Sequence, residues 1–441
     1  MIVSPSVLIV TTQTWLQITR LTMRLAGYGC RIAVICPEES HLTHAPGVAT
    51  RYRFELRHPL DSLCAAIRAS KADYLVPADD SAVWFLHEIA EMRPELRSLI
   101  ERSIGDSGSF ARIRSRFEVL SLAHELEIAV PHTQVMTAAR DLKPWLATGA
   151  PAFVLKKDGT WGGGGVQIVQ GEEAGEAFER LSAGIGFGSR VTQWLRNGDS
   201  SAFARLRCAR RPEITAQAFV PGVPANAMYA CHEGRILGEV QAKVVVSTGE
   251  TGPSIVIRLI EDARISRAGR LLAEALRLSG FFGLDFILDA RSGEPLLIEM
   301  NPRSTRLGHI AVSGRPDLAA CLWSQWTGQD ATVLGEPSLP SEIGFYPEGQ
   351  RWLNTGEAQE NCRCDVLAGE EEVIDSLLHA PAKGHKPLRK RIWSSLSGLK
   401  HVFREETTPQ PFHHREPETR EGKSMGGTAL PPTLQTAWHW N

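Results

Sequence analysis

The sequence predicts an α/β and α+β protein: an amino-terminal open parallel α/β domain over residues 1–105, followed by a larger α/β region ending near residue 330. Three observations carry this prediction. Short β-rich runs alternate with helical patterns along the first hundred or so residues, as in a parallel sheet flanked by helices. A strand, a glycine-rich loop and a second strand follow one another between residues 152 and 169. A carboxylate-bearing hairpin occupies residues 283–303.

In chain order, residues 7–10 read as a buried strand, 15–26 as a helix and 31–35 as a second strand; 63–69 then read as a helix and 74–77 as a strand. Open sheets of this kind bind ligands beyond the carboxyl ends of their strands, so Asp79, Asp80 and the turn after Val10 face a cleft. That turn, Thr11-Thr12-Gln13-Thr14, has no glycine to admit a dinucleotide pyrophosphate, which argues against a nicotinamide dehydrogenase. From residue 109 to 126, Phe110, Ile113, Phe117 and Leu120 recur at helical spacing and predict one amphipathic helix, with Arg112, Arg114 and Arg116 off its apolar stripe. Residues 106–330 form the second unit, 331–380 a carboxy-terminal extension, and 381–441 a basic amphipathic segment with a disordered tail from about residue 407.

Composition narrows the function class. With 441 residues, 43% hydrophobic and 22% charged, the chain can bury a large core and is not disordered throughout. A net charge of -2 gives no global reason to expect a nucleic-acid partner. That average conceals a segment: residues 383–404 carry seven basic side chains and no acid, +7 against -9 for the remainder. Ile392, Trp393, Leu396, Leu399 and Phe403 run through it at helix-compatible spacing. Eight dispersed cysteines do not make a disulfide framework, and Cys362-Arg-Cys364, the one close pair, reads as surface thiols rather than a metal site. No apolar run reaches the roughly 18 residues of a membrane span, and residues 1–10 read as a strand rather than a signal peptide. A cytoplasmic protein is expected, with room for a homodimer.

In the glycine loop, Lys156 and Lys157 precede Asp158-Gly159-Thr160-Trp161-Gly162-Gly163-Gly164-Gly165. Glycines let backbone N–H groups close over phosphates, and a lysine at the strand end supplies charge. Side chains alternate along a strand, so only one of the two lysines can face a nucleotide. No Gly-Lys-Ser/Thr follows and the next element is a strand, so this is not a P-loop.

The hairpin predicts a five-residue loop, 290–294, symmetric about Ser292, with 289 opposite 295, 287 opposite 297 and Asp285 opposite Glu299. Opposed carboxylates, Cβ atoms roughly 5 Å apart, are destabilising unless a cation sits between them. Asn301 shares their face, while Phe286, Leu288, Leu296 and Ile298 form the core face. Two carboxylates and an amide oxygen make a hard-oxygen site suited to Mg²⁺, and Arg303 and Arg306 follow for phosphate or a substrate acid.

Four segments in this order, residues 154–166, 217–222 (Gln-Ala-Phe-Val-Pro-Gly), 283–286 (Gly-Leu-Asp-Phe) and 298–303 (Ile-Glu-Met-Asn-Pro-Arg), resemble the ATP-grasp superfamily, which includes D-alanine:D-alanine ligase, biotin carboxylase and the carbamoyl phosphate synthetase large chain. The resemblance spans residues 1–330 and implies a Rossmann-like domain before a two-lobed ATP-grasp domain. It implies that Lys156 binds phosphates beneath Gly162, Gly163, Gly164 and Gly165, and that the backbone of Gln217, Ala218, Phe219 and Val220 reads adenine. Asp285, Glu299 and Asn301 would hold Mg²⁺ or Mn²⁺, Arg303 would act on the transferred phosphoryl group or substrate acid, and Lys243 would add a phosphate contact. Residues 249–254 look like a loop reaching toward substrate. The family's first nucleotide lysine falls on Arg116, and its ribose-binding acid is missing after Gly222, where Asn226 is a stand-in. The implied activity is ATP-dependent ligation of a small carboxylate to an amine through an acyl phosphate; alternatives are bicarbonate-directed carboxylase or carbamoyl phosphate chemistry, and nucleotide binding with degenerate chemistry.

Overall fold

The computed structural model describes residues 4–38, 40–147, 152–158, 165–171, 173–182, 213–331, 342–356, 362–366 and 412–413. Gly162, Gly163 and Gly164, residues 383–404 and most of the predicted tail lie outside the described residues.

The first sheet is parallel and holds β1 (Ser6–Val10), β2 (Arg31–Cys36), β3 (Val48–Arg53) and β4 (Tyr74–Pro77) in the order β3-β2-β1-β4. Helices α1 (Gln17–Gly27), α2 (Pro59–Ser70), α3 (Asp80–Met92) and α4 (Pro94–Ile104) connect and cover it. Alternation along β1 divides the interior: Leu8 and Val10 enter one apolar cluster, Val7 and Ile9 another.

The predicted helix over residues 109–126 is two helices, α5 (Phe110–Ile113) and α6 (Arg116–Glu125). Ser115 breaks it: the Ser115 hydroxyl accepts from the Glu118 amide at 3.2 Å, as an N-cap does. Ser115-Arg-Phe-Glu118 is the local signature of a helix start, and it outweighs continuous apolar spacing. The break sets Arg116 at the entry of α6, beside the cavity described below.

A small antiparallel sheet follows, with β5 (Thr133–Met136), β6 (Phe153–Lys157), β7 (Val166–Val169) and β8 (Ile214–Ala218) in the order β5-β8-β6-β7. It has its own core, in which Phe153, Leu155 and Ala216 meet Phe178 and Leu181 of the helix Glu173–Ser182.

The third sheet is the largest. It contains β9 (Gly222–His232), β10 (Arg235–Ser247), β11 (Ser254–Leu259), β12 (Gly280–Asp289), β13 (Pro295–Asn301), β14 (Glu342–Gly344) and β15 (Cys362–Cys364), in the order β13-β12-β9-β10-β11-β14-β15. Its two faces continue the two clusters of the parallel sheet: Tyr229, Phe282 and Leu284 join Leu8 and Val10, whereas Met228, Ala230 and Phe281 join Val7 and Ile9. The parallel sheet and the large sheet thus share one interior, and the small sheet stands as a separate lobe.

Beyond residue 331, β14 and β15 extend the large sheet past β11. Two expectations for the carboxyl-terminal part are corrected. Cys362 is buried against Trp352 rather than at the surface, and burial pushes its thiol up to about 11. Phe412–His413, within the predicted tail, forms a short strand paired with β10.

Candidate active site

A cavity of about 1070 Å³ opens where the three sheets meet. Its walls include the turn after β1, Val154 and Lys156 of β6, residues 217–220 at the end of β8 and on the way to β9, Asp285 of β12 and Glu299 of β13. The stretch from Asn301 to His309 and, at the far end, Tyr346, Glu348 and Asp365 complete it.

The hairpin supplies the acidic wall. Asp285 pairs with Glu299 as predicted, but Phe286 then pairs with Leu297, Ile287 with Leu296 and Leu288 with Pro295. Ile298 is therefore the extra residue of a β-bulge, and the pairs predicted nearer the loop are corrected by one position. A one-residue slip exchanges faces, so Leu297 enters the core in place of Leu296 and Ile298. Ile298 instead borders the cavity, and its carbonyl accepts from Nζ of Lys156 at 3.3 Å. Asn301 donates from Nδ2 to Oδ2 of Asp285 at 2.9 Å. Asn226 donates to Oδ1 of Asp285 at 2.6 Å, so its amide serves that carboxylate rather than standing apart for a ribose.

Burial and then the facing Glu299 push Asp285 up to about 6. Burial would raise Glu299 as well, but Arg116 and Lys156 hold it below the usual carboxylate range. Glu299 still presents 29% of its side chain to the cavity. Arg116 donates from one terminal nitrogen to Oε1 of Glu299 at 2.7 Å and from the other to Oδ1 of Asp158 at 3.0 Å. Burial opposes its charge, and Glu299 and Asp158 more than restore it, so its pKa is raised. Asp158 itself is driven up to about 6 by burial, even beside Arg116.

Lys156 and Lys157 face opposite ways, as strand alternation requires. Lys156 is 4% exposed and borders the cavity, and burial followed by Arg116 lowers its pKa to about 8. Lys157 donates to the carbonyl of Leu181 in the small lobe. The Gly165 carbonyl accepts from the Lys157 amide at 2.9 Å, at the root of the glycine loop. Gln217, Ala218, Phe219 and Val220 all border the cavity, with the Gln217 side chain donating to Oγ1 of Thr133 at 3.1 Å.

Arg303 is clamped by Asp80 of α3, Nε to Oδ1 and Nη2 to Oδ2, both at 3.0 Å. It also donates to Oδ1 of Asn301 at 3.2 Å and lies over the Trp15 ring. Asp79, expected in the same cleft, is fully buried and structural: it accepts from the Thr12 and Ala82 amides and the Thr11 and Thr12 hydroxyls. Those bonds tie the glycine-free turn to the start of α3.

Lys243 is a correction. It pairs with Ala225 and Arg258, whereas Ala242 pairs with Asn226, which stands opposite Asp285. Lys243 therefore projects from the other face of the sheet, away from Asp285, and is not among the residues bordering the cavity. Two contributors escaped sequence reasoning. Asp158 lies inside the glycine-loop motif and was readable as a partner for a base, but Asp365 sits in a segment with no motif.

Solved structures resemble this arrangement. The biotin carboxylase–beta-gamma-ATP complex from Campylobacter jejuni aligns with TM-score 0.53 and 13% identity over 76% of this chain and 73% of that one. The ADP complex of an N5-carboxyaminoimidazole ribonucleotide synthetase aligns with TM-score 0.53 and 14% identity over 73% and 77%. An L-amino acid ligase from Bacillus licheniformis aligns with TM-score 0.52 and 13% identity over 73% and 74%. The chain has the ATP-grasp fold. No protein-family profile and no curated protein sequence matches it. In this chain the small sheet and the large sheet form two lobes, and the candidate site lies between them against the amino-terminal sheet. No helix among the described residues is long and apolar enough to cross a membrane.

Proposed function

We propose that this protein is an ATP- and Mg²⁺-dependent ligase that activates a small carboxylic acid as an acyl phosphate and passes it to an amine. One observation carries the reading: Lys156, the 217–220 linker, Asp285, Glu299, Asn301 and Arg303 all border one cavity. Each group matches a need of phosphoryl transfer, which depends on positioning and charge neutralisation.

Asp285, Glu299 and Asn301 fit Mg²⁺ or Mn²⁺, since all offer hard oxygen donors. The directly opposed pair of carboxylates, with Asp285 pushed up to about 6, is a donor set that a cation would stabilise in its ionised form. When bound, the ion would offset charge on the phosphates.

The chain's own residues would do the rest. Lys156, whose charge burial and Arg116 disfavour, would gain a partner in the phosphates. The backbone of residues 217–220 would face the adenine. Arg303, held in place by Asp80, would neutralise charge on the moving phosphoryl group. A carboxylate oxygen of the acid attacks the γ-phosphorus while the bond from that phosphorus to the β,γ-bridging oxygen breaks, releasing ADP. The amine nitrogen then attacks the acyl carbon, the carbon–oxygen bond to phosphate breaks, and the amine gives up a proton.

The test is incubation with Mg-ATP and pools of acids, amino acids and bicarbonate, following ADP and new masses, with hydroxylamine added to trap an acyl phosphate as its hydroxamate. ADP release that depends on an acid is expected. ATP binding with no turnover across all pools would overturn the reading.

A further inference from the structure

Asp285 and Glu299 stand directly opposite each other, and like charges in that position call for a cation. The chain brings one of its own. Arg116, the first residue of α6, lines the same cavity as Asp285, Glu299 and Asn301, with its side chain largely buried. Its Nη2 donates to Oε1 of Glu299 at 2.7 Å, and its Nη1 donates to Oδ1 of Asp158 at 3.0 Å. The neighbouring cations are tied elsewhere, Lys156 to the Ile298 carbonyl and Arg303 to Asp80.

The other oxygens suited to a metal are engaged in a different way. Asn226 and Asn301 donate amide N–H groups to Asp285 at 2.6 and 2.9 Å, and the Asn301 oxygen accepts from Arg303 at 3.2 Å. Amide donors are neutral and leave the charge of Asp285 in place. A guanidinium instead offsets the charge of Glu299 and repels any further cation at short range, most strongly where solvent is scarce. Glu299 is therefore the ligand at which a metal ion and a side chain of this protein compete.

Asp158 gives Arg116 a second place to rest. It follows β6 in the small lobe, is itself buried, and its Oδ2 lies 3.4 Å from the Arg116 backbone nitrogen. On leaving Glu299, Arg116 stays paired with Asp158 and does not become a buried charge without a partner, which would be costly. The planar fork suits this task, since separate nitrogens reach two acids at once, whereas an ammonium is a single point.

We propose that Arg116 is a built-in competitor for the metal, holding Glu299 until a divalent cation displaces it and then resting on Asp158. This depends on the metal site of the ligase reading above and adds the residue that sets how strongly that site takes a cation.

The test uses Mn²⁺ as the probe, its binding to the full-length, nucleotide-free protein followed by electron paramagnetic resonance of the free ion. Arg116→Gln should bind Mn²⁺ on the order of tenfold more tightly than the wild type. Adding Glu299→Gln to Arg116→Gln should abolish that gain. Asp158→Asn, which removes the alternative acid and leaves Arg116 on Glu299, should bind Mn²⁺ more weakly than the wild type. A purely structural role for Arg116 would change unfolding in these variants without this opposed pattern of metal affinity. Equal affinity in the wild type and Arg116→Gln, or weaker binding in Arg116→Gln, overturns the inference. In that case the metal site stands if Glu299→Gln alone weakens binding, and falls if it does not. If neither protein binds Mn²⁺, alone or with adenylyl imidodiphosphate, the metal site and the inference fail together. Should Arg116→Gln not fold, Arg116→Lys takes its place: tighter binding than the wild type supports the inference, and equal binding overturns it.

Discussion

Arg303 and Asp80 form a two-pronged ion pair, Nε to Oδ1 and Nη2 to Oδ2, that joins the segment after the carboxylate hairpin to the first turn of α3. Both side chains are largely buried, 9% and 19% exposed, so neither would be well solvated alone. An acid in the first turn also complements the positive end of a helix.

Asp80→Asn keeps the shape and removes the charge, leaving Arg303 without its counter-ion. The variant should lose on the order of 3 kcal/mol of stability by denaturant unfolding, as expected when one member of a buried pair is removed. Its kcat should fall more than its affinity for ATP, since Arg303 and not the nucleotide linker is disturbed. Unchanged unfolding and unchanged kcat would show that the pair does neither task.

Glu299→Gln tests the metal reading. Turnover should drop on the order of a hundredfold or more, because an amide replaces a charged oxygen donor and also weakens the hold on Arg116. The titration of protein with Mn²⁺, followed by its paramagnetic effect on water, should show weaker binding. Wild-type turnover in this variant would refute the assignment.

Lys156 carries a pH dependence of defined sign. Burial and Arg116 lower its pKa to about 8, so the folded protein disfavours the charged form. A group depressed in this way contributes stability above its unfolded pKa, and that contribution is lost as pH falls through about 8. The stability of the nucleotide-free wild-type protein should therefore rise, relative to Lys156→Met, between about pH 8 and pH 10. ATP binding near pH 8 should take up a proton in the wild type and not in the variant, measured by calorimetry in buffers of different ionisation enthalpy. Parallel stability profiles for the two proteins would contradict this.

Gly222 opens β9 directly after the linker, and a Cβ there would lie 2.1 Å from the Leu288 carbonyl oxygen of β12. Backbone cannot yield as a flexible side chain would. Gly222→Ala should destabilise the protein by about 2 kcal/mol or more in thermal or denaturant unfolding, through overpacking rather than loss of a contact. A neutral effect would mean that β9 and β12 separate more easily than their pairing implies.

Much of the site was readable where its determinants are local. The five-residue loop of the carboxylate hairpin is present in the fold. So is the contrast between Lys156 and Lys157, which needs only the two-residue repeat of a strand. The opposition of Asp285 and Glu299 needs more: the loop-side register, Leu288 with Pro295, would set Asp285 against Ile298, and the bulge restores its pairing with Glu299. Lys243 failed for the complementary reason: a single position of register decides the face of a strand, and that register is set by pairing with β9 and β11. The bulge at Ile298 escaped in the same way, since an extra residue leaves no mark in an apolar run.

By itself the sequence determined the order of the elements, the parallel amino-terminal sheet and the lysine that faces inward, because each depends on neighbours within a turn or a strand. Tertiary structure alone decided which charges meet. Arg116 reaches Glu299, Arg303 reaches Asp80 and Arg20 reaches Asp365 only because three sheets converge on one cavity. Charge pairing acts through space at short range, and residues far apart in the chain carry no local pattern that announces it.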